Sequence, residues 1–336
     1  MGQSPAGSSM NERTGMEFHQ GKTNFGSVFL NCSKVKTNAP TKMANKDDIV
    51  ICVRAPVGVV NITNRKICIG RGLAALSPKE LVDRDYLFYA LQASQKAVEK
   101  LAAGSTFSSI PGPELCKLEL PKQTYEKQKS IGRALSSADK AIAILEKQIS
   151  KYEHIKKSTE KMLLTPKPGW KEVKIRDCLD YEQPTDYIVH TDINASSGTT
   201  PVLTANKAFV LGYTDETNNI YNKGDTIIYD DFTMDMKYVT FPFKVKSSAM
   251  KILTPKGENN LYFMFALLKS FGLTQQEHAR SYISKLEPMK ILIPDPATQE
   301  TIAENLYTID SYLENLKHQL DKIKKLKQGL MSYFFG

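Results

Sequence analysis

Apolar positions recur most regularly in two stretches of this chain. From about Tyr125 to Leu164 they fall at Ile131, Leu135, Ala138, Ile142, Leu145, Ile149 and Tyr152, in steps of four and three. From about Thr298 to Phe335 they fall at Ile302, Leu306, Ile309, Leu313, Leu316, Leu320 and Ile323, in the same steps. A sustained alternation of four and three is the seam of a coiled coil, so both stretches are expected to be long helices. At roughly 38 residues each would span ~57 Å. The nearest partner for each apolar stripe is the other, and each helix leads away from its own globular part. An antiparallel, pseudo-twofold pair is therefore expected.

The two seams superpose at an offset of 171, which sets Gln128 on Gln299, Asp139 on Asp310, Gln148 on Gln319 and Lys151 on Lys322. Each helix follows a short apolar segment ending in proline, Lys117–Pro121 and Lys290–Pro294, expected as strands. The repeat reaches further upstream. Asn45–Ile51 matches Asn222–Ile228, and Leu76–Lys79 matches Leu253–Lys256, at an offset of 177. Tyr86–Leu91 resembles Tyr262–Leu267. Short β-branched runs among Gly, Pro and Asn clusters make the globular parts mixed α/β (α+β). The expected division is a first domain over 1–124, a helix over 125–164, a second domain over 165–297 and a helix over 298–336. Thr165–Gly169 breaks the first helix.

Composition narrows the class. The 336 residues are 41% hydrophobic and 24% charged, enough apolar content for real cores. No apolar run suffices for a membrane span, and the first fifteen residues lack the pattern of a signal peptide. Cys32, Cys52, Cys68, Cys116 and Cys178 are odd in number and never CxxC, which reads as reduced cytoplasmic thiols. The net charge is +9, divided by segment as +6, +4, −1 and zero. The excess sits in the first half, and it admits a nucleic acid without selecting one.

Catalytic signatures fail one by one. Gly15–Thr23 has five residues between its glycines where a phosphate loop needs four. Gly70-Arg71-Gly72 fits the start of a dinucleotide fingerprint, but Leu73–Leu76 reads as strand where a helix must open. Those glycines are expected to serve a tight bend. The five histidines are isolated, Asp230-Asp231 has no further carboxylate nearby in sequence, and no catalytic or metal site is expected.

The helix motifs Gln128…Ile131…Leu135-Ser-Ser-Ala-Asp139…Leu145-Glu-Lys-Gln-Ile149 and their second copy resemble the spacer helices of type I restriction–modification specificity (S) subunits. Gly2–Pro5, Ile67–Leu73 and Gly104–Phe107 resemble stretches of that family's target recognition domains, as do Asp230–Thr233 and Phe243–Lys251. The resemblance implies a non-catalytic reader of double-stranded DNA. Each domain would read half of a bipartite target, and the helices would set the gap and dock two methyltransferase (M) subunits. S-adenosylmethionine would belong to the M subunits, and ATP and Mg to a restriction (R) subunit that can join. None would be bound by this chain. Gly169–Arg176 resembles the family's domain start, whereas Met1–Pro5 resembles a domain interior, so the first domain is expected to lack its entry strand. The alternatives are a coiled-coil adaptor that reads no DNA and a nuclease or methyltransferase fragment.

Where two copies share a scaffold and read different half-sites, their differing loops should carry specificity. Arg54-Ala-Pro56 stands where the second copy has Asp231-Phe-Thr233. Arginine suits guanine and aspartate can accept from cytosine, so Arg54 and Asp231 are expected near base edges. In the alternative, Arg54 pairs with a carboxylate and Asp231 caps a turn. Further candidates for DNA contact are Lys22, Arg65, Arg71, Ser105 and Thr106, then Lys207, Thr233, Lys237, Lys246 and Arg280.

Overall fold

In the computed structural model, the residues described are all but 103–108, 195–196, 206–208 and 274–279. The candidates Ser105, Thr106 and Lys207, and the whole of Gly104–Phe107, therefore lie outside the described residues. The chain forms two compact units, Met1–Gln148 with Leu316–Gly336, and Ile149–Asn315. Each unit contains one globular part and a portion of both long helices.

The first unit carries β1 (Met10–Asn11), β2 (Met16–His19), β3 (Lys36–Thr37), β4 (Met43–Ala44), β5 (Ile49–Cys52), β6 (Val60–Ile62), β7 (Ile67–Ile69) and β8 (Leu73–Leu76). Helices α1 (Arg84–Ala93), α2 (Gln95–Ala102) and α3 (Gly112–Leu115) follow, and then α4 (Tyr125–Leu164). One sheet has the order β1-β3-β2-β7-β4 and a second the order β6-β5-β8. Every residue of β5, Ile49 to Cys52, is buried, as expected of a central strand with both faces covered.

The second unit carries β9 (Lys171–Lys174), β10 (Leu179–Glu182), β11 (Thr200–Leu203), β12 (Val210–Thr214), β13 (Thr226–Asp230), β14 (Met236–Val239), β15 (Lys244–Val245) and β16 (Met250–Pro255). Helix α5 (Leu261–Ser270), strand β17 (Lys290–Ile293) and helix α6 (Pro296–Phe335) complete it. Its sheets have the orders β10-β16-β13-β14, β12-β11-β15 and β17-β9.

The repeat is therefore one of topology as well as sequence. β6-β5-β8 recurs as the core of β14-β13-β16, and β14 pairs with β13 at the same offset of 177 that relates the sequences (Ile49 opposite Ile62, Thr226 opposite Val239). The third strand pairs one residue out of that register: Ile49 faces Leu76, whereas Ile227 faces Leu253. The N-caps hold the offset as well. Asp83 accepts from the Tyr86 N–H at 2.9 Å, and Asn260 from the Phe263 N–H at 2.8 Å. Tyr86 thus corresponds to Phe263, one residue away from the sequence match with Tyr262.

The expected long helices are present, α4 and α6 each having 40 residues. All the seam positions are buried or half-buried. Not all of them face the other helix, however. Ile131 and Leu135 belong to the core of the first globular part, and Ile302 and Leu306 to that of the second. Periodicity shows that a stripe is buried and leaves open what covers it. Within the first unit α4 and α6 run antiparallel, with Asp139 against Lys327 at 2.7 Å and Glu146 against Lys324 at 2.8 Å. Within the second unit Lys156 meets Asp310 at 2.5 Å, and the Tyr152 and Tyr312 rings lie 4.6 Å apart.

One expected element is missing. Lys290–Ile293 forms a strand by pairing with Lys171–Lys174, but its counterpart Lys117–Pro121 has no partner among the described residues and forms none. Leu118 and Leu120 instead pack half-buried against the core. A strand is defined by its ladder, and an apolar segment without one stays irregular.

Candidate nucleic-acid interface

The end of β5 gathers three of the candidates in the first unit. Beyond Cys52, the Val53 N–H donates to Gly72 O at 2.9 Å, and the Ile110 N–H to Val53 O at 2.9 Å. Arg54 comes next, exposed and bridged to Ser109. The neighbouring turn is packed against backbone. A Cβ on Gly72 would lie 2.1 Å from Gln20 O, and the Gly70 N–H donates to His19 O at 2.7 Å. The glycines serve close backbone approach, with strand β8 following directly. Arg71 is exposed at the tip of that turn. Lys22, also exposed, opens a short helical turn two residues beyond Gln20. Arg54, Arg71 and Lys22 thus share one rim.

Arg65 does not join them. It lies beyond the opposite end of β7, where its guanidinium meets the Glu17 carboxylate at 2.5 and 3.0 Å and donates to the carbonyls of Leu30 and Asn31. Burial alone would raise the Glu17 pKa, but Arg65, the Ser33 N–H and His19 together outweigh it and hold that carboxyl at about 2. Arg65 is committed to the fold of its own unit.

In the second unit the corresponding rim is built differently. Asp230 Oδ1 accepts from the N–H groups of Phe232 and Thr233 at 2.9 and 2.8 Å, and Met234 adopts a φ of 61°. The resulting turn displays Phe232 and Thr233 at the surface, while Lys237 lies half-exposed on β14.

Asp231 is the main correction. It is 1% exposed, with its carboxylate 3.1 Å from the buried Lys251 ammonium. Its Oδ1 accepts from the Ser281 and Tyr282 N–H groups at 3.0 and 2.8 Å. A carboxylate so enclosed cannot reach a base edge. It ties the 281–282 backbone to the end of β13, so the exposed Arg280 stands beside the Phe232–Thr233 turn. The Asp231 N–H also donates to Ala249 O at 2.9 Å, which draws in the connection that carries exposed Lys246. Thr233, Lys237, Lys246 and Arg280 therefore gather at one end of the sheet. Lys244, two residues before Lys246, is instead buried and paired with Glu216 at 2.6 Å.

Polar anchors beneath the rims repeat more strictly than the rims do. Gln128 Oε1 accepts from the Asp83 N–H and Gln299 Oε1 from the Asn260 N–H, both at 3.0 Å. The phenols of Tyr89 and Tyr262 donate to Asp139 and Asp310, both at 2.6 Å. Burial first, and the carboxylate second, push both phenols well above their ordinary pKa, so they remain donors. The matched Gln and Asp pairs were visible in the sequence repeat, but their tyrosines were not. By the caps, Tyr262 corresponds to Asp85, one helical turn before Tyr89.

Two copies of a mixed α/β domain, each displaying exposed cations at one sheet end and each fastened to a long helix, define a duplicated recognition protein. Comparison with known proteins makes this specific. Residues 20–154 and 167–325 match the type I restriction modification DNA specificity domain, and the chain belongs to that family. It is 43% identical over 169 residues to a putative type I restriction enzyme MjaX specificity subunit of Methanocaldococcus jannaschii, covering 50% of this chain and 40% of that one. It is 40% identical over 148 residues to the EcoR124I/EcoR124II specificity subunit of Escherichia coli, covering 42% and 36%. These matches span less than half the length of those relatives. A crystal structure of an M. genitalium type I S subunit shares the fold, with a TM-score of 0.75 at 17% identity over 100% of this chain and 92% of that one.

Proposed function

We propose that this chain is the DNA-reading, non-catalytic subunit of a type I restriction–modification complex. Each globular part reads one half of a bipartite, asymmetric duplex target. The helices set the gap and carry two M subunits, to which an R subunit can be added. S-adenosylmethionine then belongs to the M subunits, and ATP and Mg to the R subunit. No helix among the described residues is long and apolar enough to cross a membrane, and the work proposed lies with DNA in the cytoplasm.

The observation that carries this reading is a shared strand frame with unlike rims. β5 and β13 occupy the same place in the repeat, yet the chain leaves one as Arg54 and the other as a buried Asp231 that positions Arg280. A shared scaffold ending in different exposed groups is what two different half-sites require. In this reading Arg54, Arg71, Thr233 and Arg280 read base edges, and Lys22, Lys237 and Lys246 neutralise phosphates.

The test is co-expression with a type I M subunit, followed by mapping of methylated adenines. The expected result is one bipartite motif with a fixed gap. Arg54→Ala should relax base choice in one half only, and Arg280→Ala in the other. Absence of sequence-selective methylation would favour the adaptor reading instead.

A further inference from the structure

Apolar seams of isoleucine and leucine tolerate sliding. If α6 moves along α4 by one heptad, most seam positions that face the other helix find another apolar position. Contacts besides the seam select one register: the end of α6 packs Leu330, Met331, Phe334 and Phe335 on the first core, and polar groups between the helices supply the rest. In the first unit Asp139, on α4, accepts from Tyr89 at 2.6 Å and from Lys327 of α6 at 2.7 Å. In the second unit Asp310, on α6, accepts from Tyr262 at 2.6 Å and meets Lys156 of α4 at 2.5 Å. The offset of 171 that maps Asp139 on Asp310 also maps Lys156 on Lys327. One three-residue cluster thus occurs twice, with the acid and the base exchanging helices.

All four ionic side chains are shielded. Asp139 and Lys327 are 13% and 20% exposed, and Asp310 and Lys156 are 26% and 30% exposed. Partly buried polar groups in an otherwise apolar helix pair specify alignment, because any other alignment strands them. The Lys327 ammonium is held further by the Tyr89 ring, 5.4 Å from its centroid.

We infer that the Tyr89–Asp139–Lys327 and Tyr262–Asp310–Lys156 clusters are register locks that fix α4 against α6, and so determine which gap length the protein accepts. The inference about the gap rests on the proposed DNA-reading function; the inference about register does not. The locking residues are positioning residues and touch no base.

Register is read in the full chain, with exposed Cys32 and Cys116 changed to serine, by a short bis-maleimide that bridges two thiols across the gap two paired long side chains fill. Glu146→Cys with Lys324→Cys reports the native register, since the tips of those side chains meet at 2.8 Å. Glu146→Cys with Lys317→Cys reports a slip of one heptad. The parent should cross-link only in the first pair. Asp139→Asn with Asp310→Asn should raise the second several-fold above background. A folded double variant that stays at background in the second pair overturns the proposal. The reversed protein, carrying Asp139→Lys, Lys327→Asp, Asp310→Lys and Lys156→Asp, should fold and return to the native pair. Its failure to do either also overturns it.

In the methylation assay, a slip of one heptad is about 10.5 Å of helix, or about three base pairs of duplex. The double Asn variant should accept gaps altered by about that amount, with its half-site bases unchanged. Slipped cross-links with an unaltered gap would leave the register locks standing, and would overturn the link to gap length and the ruler function on which it rests.

Discussion

Asp231 shows how a single buried side chain can shape an exposed rim without being part of it. Its carboxylate neutralises Lys251 and holds two backbone N–H groups in a site with almost no solvent. Asp231→Ala leaves a buried ammonium unpaired, and should destabilise the second unit by about 3–5 kcal/mol. Thr233→Ala, on the exposed turn beside it, should stay within about 0.5 kcal/mol. Urea unfolding of the two variants checks both values. Glu17 supplies the corresponding case in the first unit. Its folded pKa of about 2 lies below the ordinary 4.5, so the stabilisation it provides is complete above pH 4.5 and is lost as pH falls from there through 2. The stability difference between the parent and Glu17→Gln, followed by thermal unfolding, should therefore be largest near neutrality and shrink on acidification. The sequence made Arg54 and Arg71 legible as surface cations, since each follows a strand that has no room for them. It misplaced Asp231, because an aspartate just past a strand ordinarily faces water. The available clue was Lys251, set in the apolar run Met250–Leu253, where a lysine needs a buried acid.

At the scale of elements, the long helices followed from spacing, and their antiparallel sense from each leading away from its own globular part. What spacing could not show was which surface covers each turn of a stripe: Ile131 and Leu135 pack into a globular core. Nor could composition reveal that Lys117–Pro121 would go unpaired, because a ladder depends on a second segment. Glycines within the helices separate packing from propensity. A Cβ on Gly132 of α4 would come within 2.5 Å of Asp83 Oδ1, the cap of α1, while Gly329 of α6 has nothing within 4 Å. Gly132→Ala should cost about 1–2 kcal/mol net of its better helix propensity, and Gly329→Ala should gain about 0.5–1 kcal/mol. Opposite shifts in melting temperature would confirm that α1 sits directly on α4.

For the molecule as a whole, the helix division changes the meaning of the charge. Counted by compact unit, the first holds 26 Lys and Arg against 14 Asp and Glu, and the second 19 against 22. The first unit is thus net +12 and the second −3, a wider imbalance than the sequence segments showed, because the basic end of α6 belongs with the first. Under the proposed function, electrostatic attraction to duplex DNA would fall mainly to the first unit. In the M-containing complex, Lys22→Ala should reduce the slope of log affinity against log salt by about one, and weaken all DNA sequences alike. Binding titrations at several salt concentrations would show this.

The doubled Tyr–Asp–Lys cluster also bears on inheritance. Its members lie in the helices and beneath the globular parts, and none of them is a residue of the rims. Substitutions at Arg54, Arg71, Thr233 or Arg280 touch none of these contacts, so under the proposed function a lineage could acquire a new target while retaining its architecture. The acid and base of each cluster come from different repeats, however. Neither copy can drift at these positions without a matching change in the other, and two halves that are free to diverge in what they read are bound to evolve together in how they are joined.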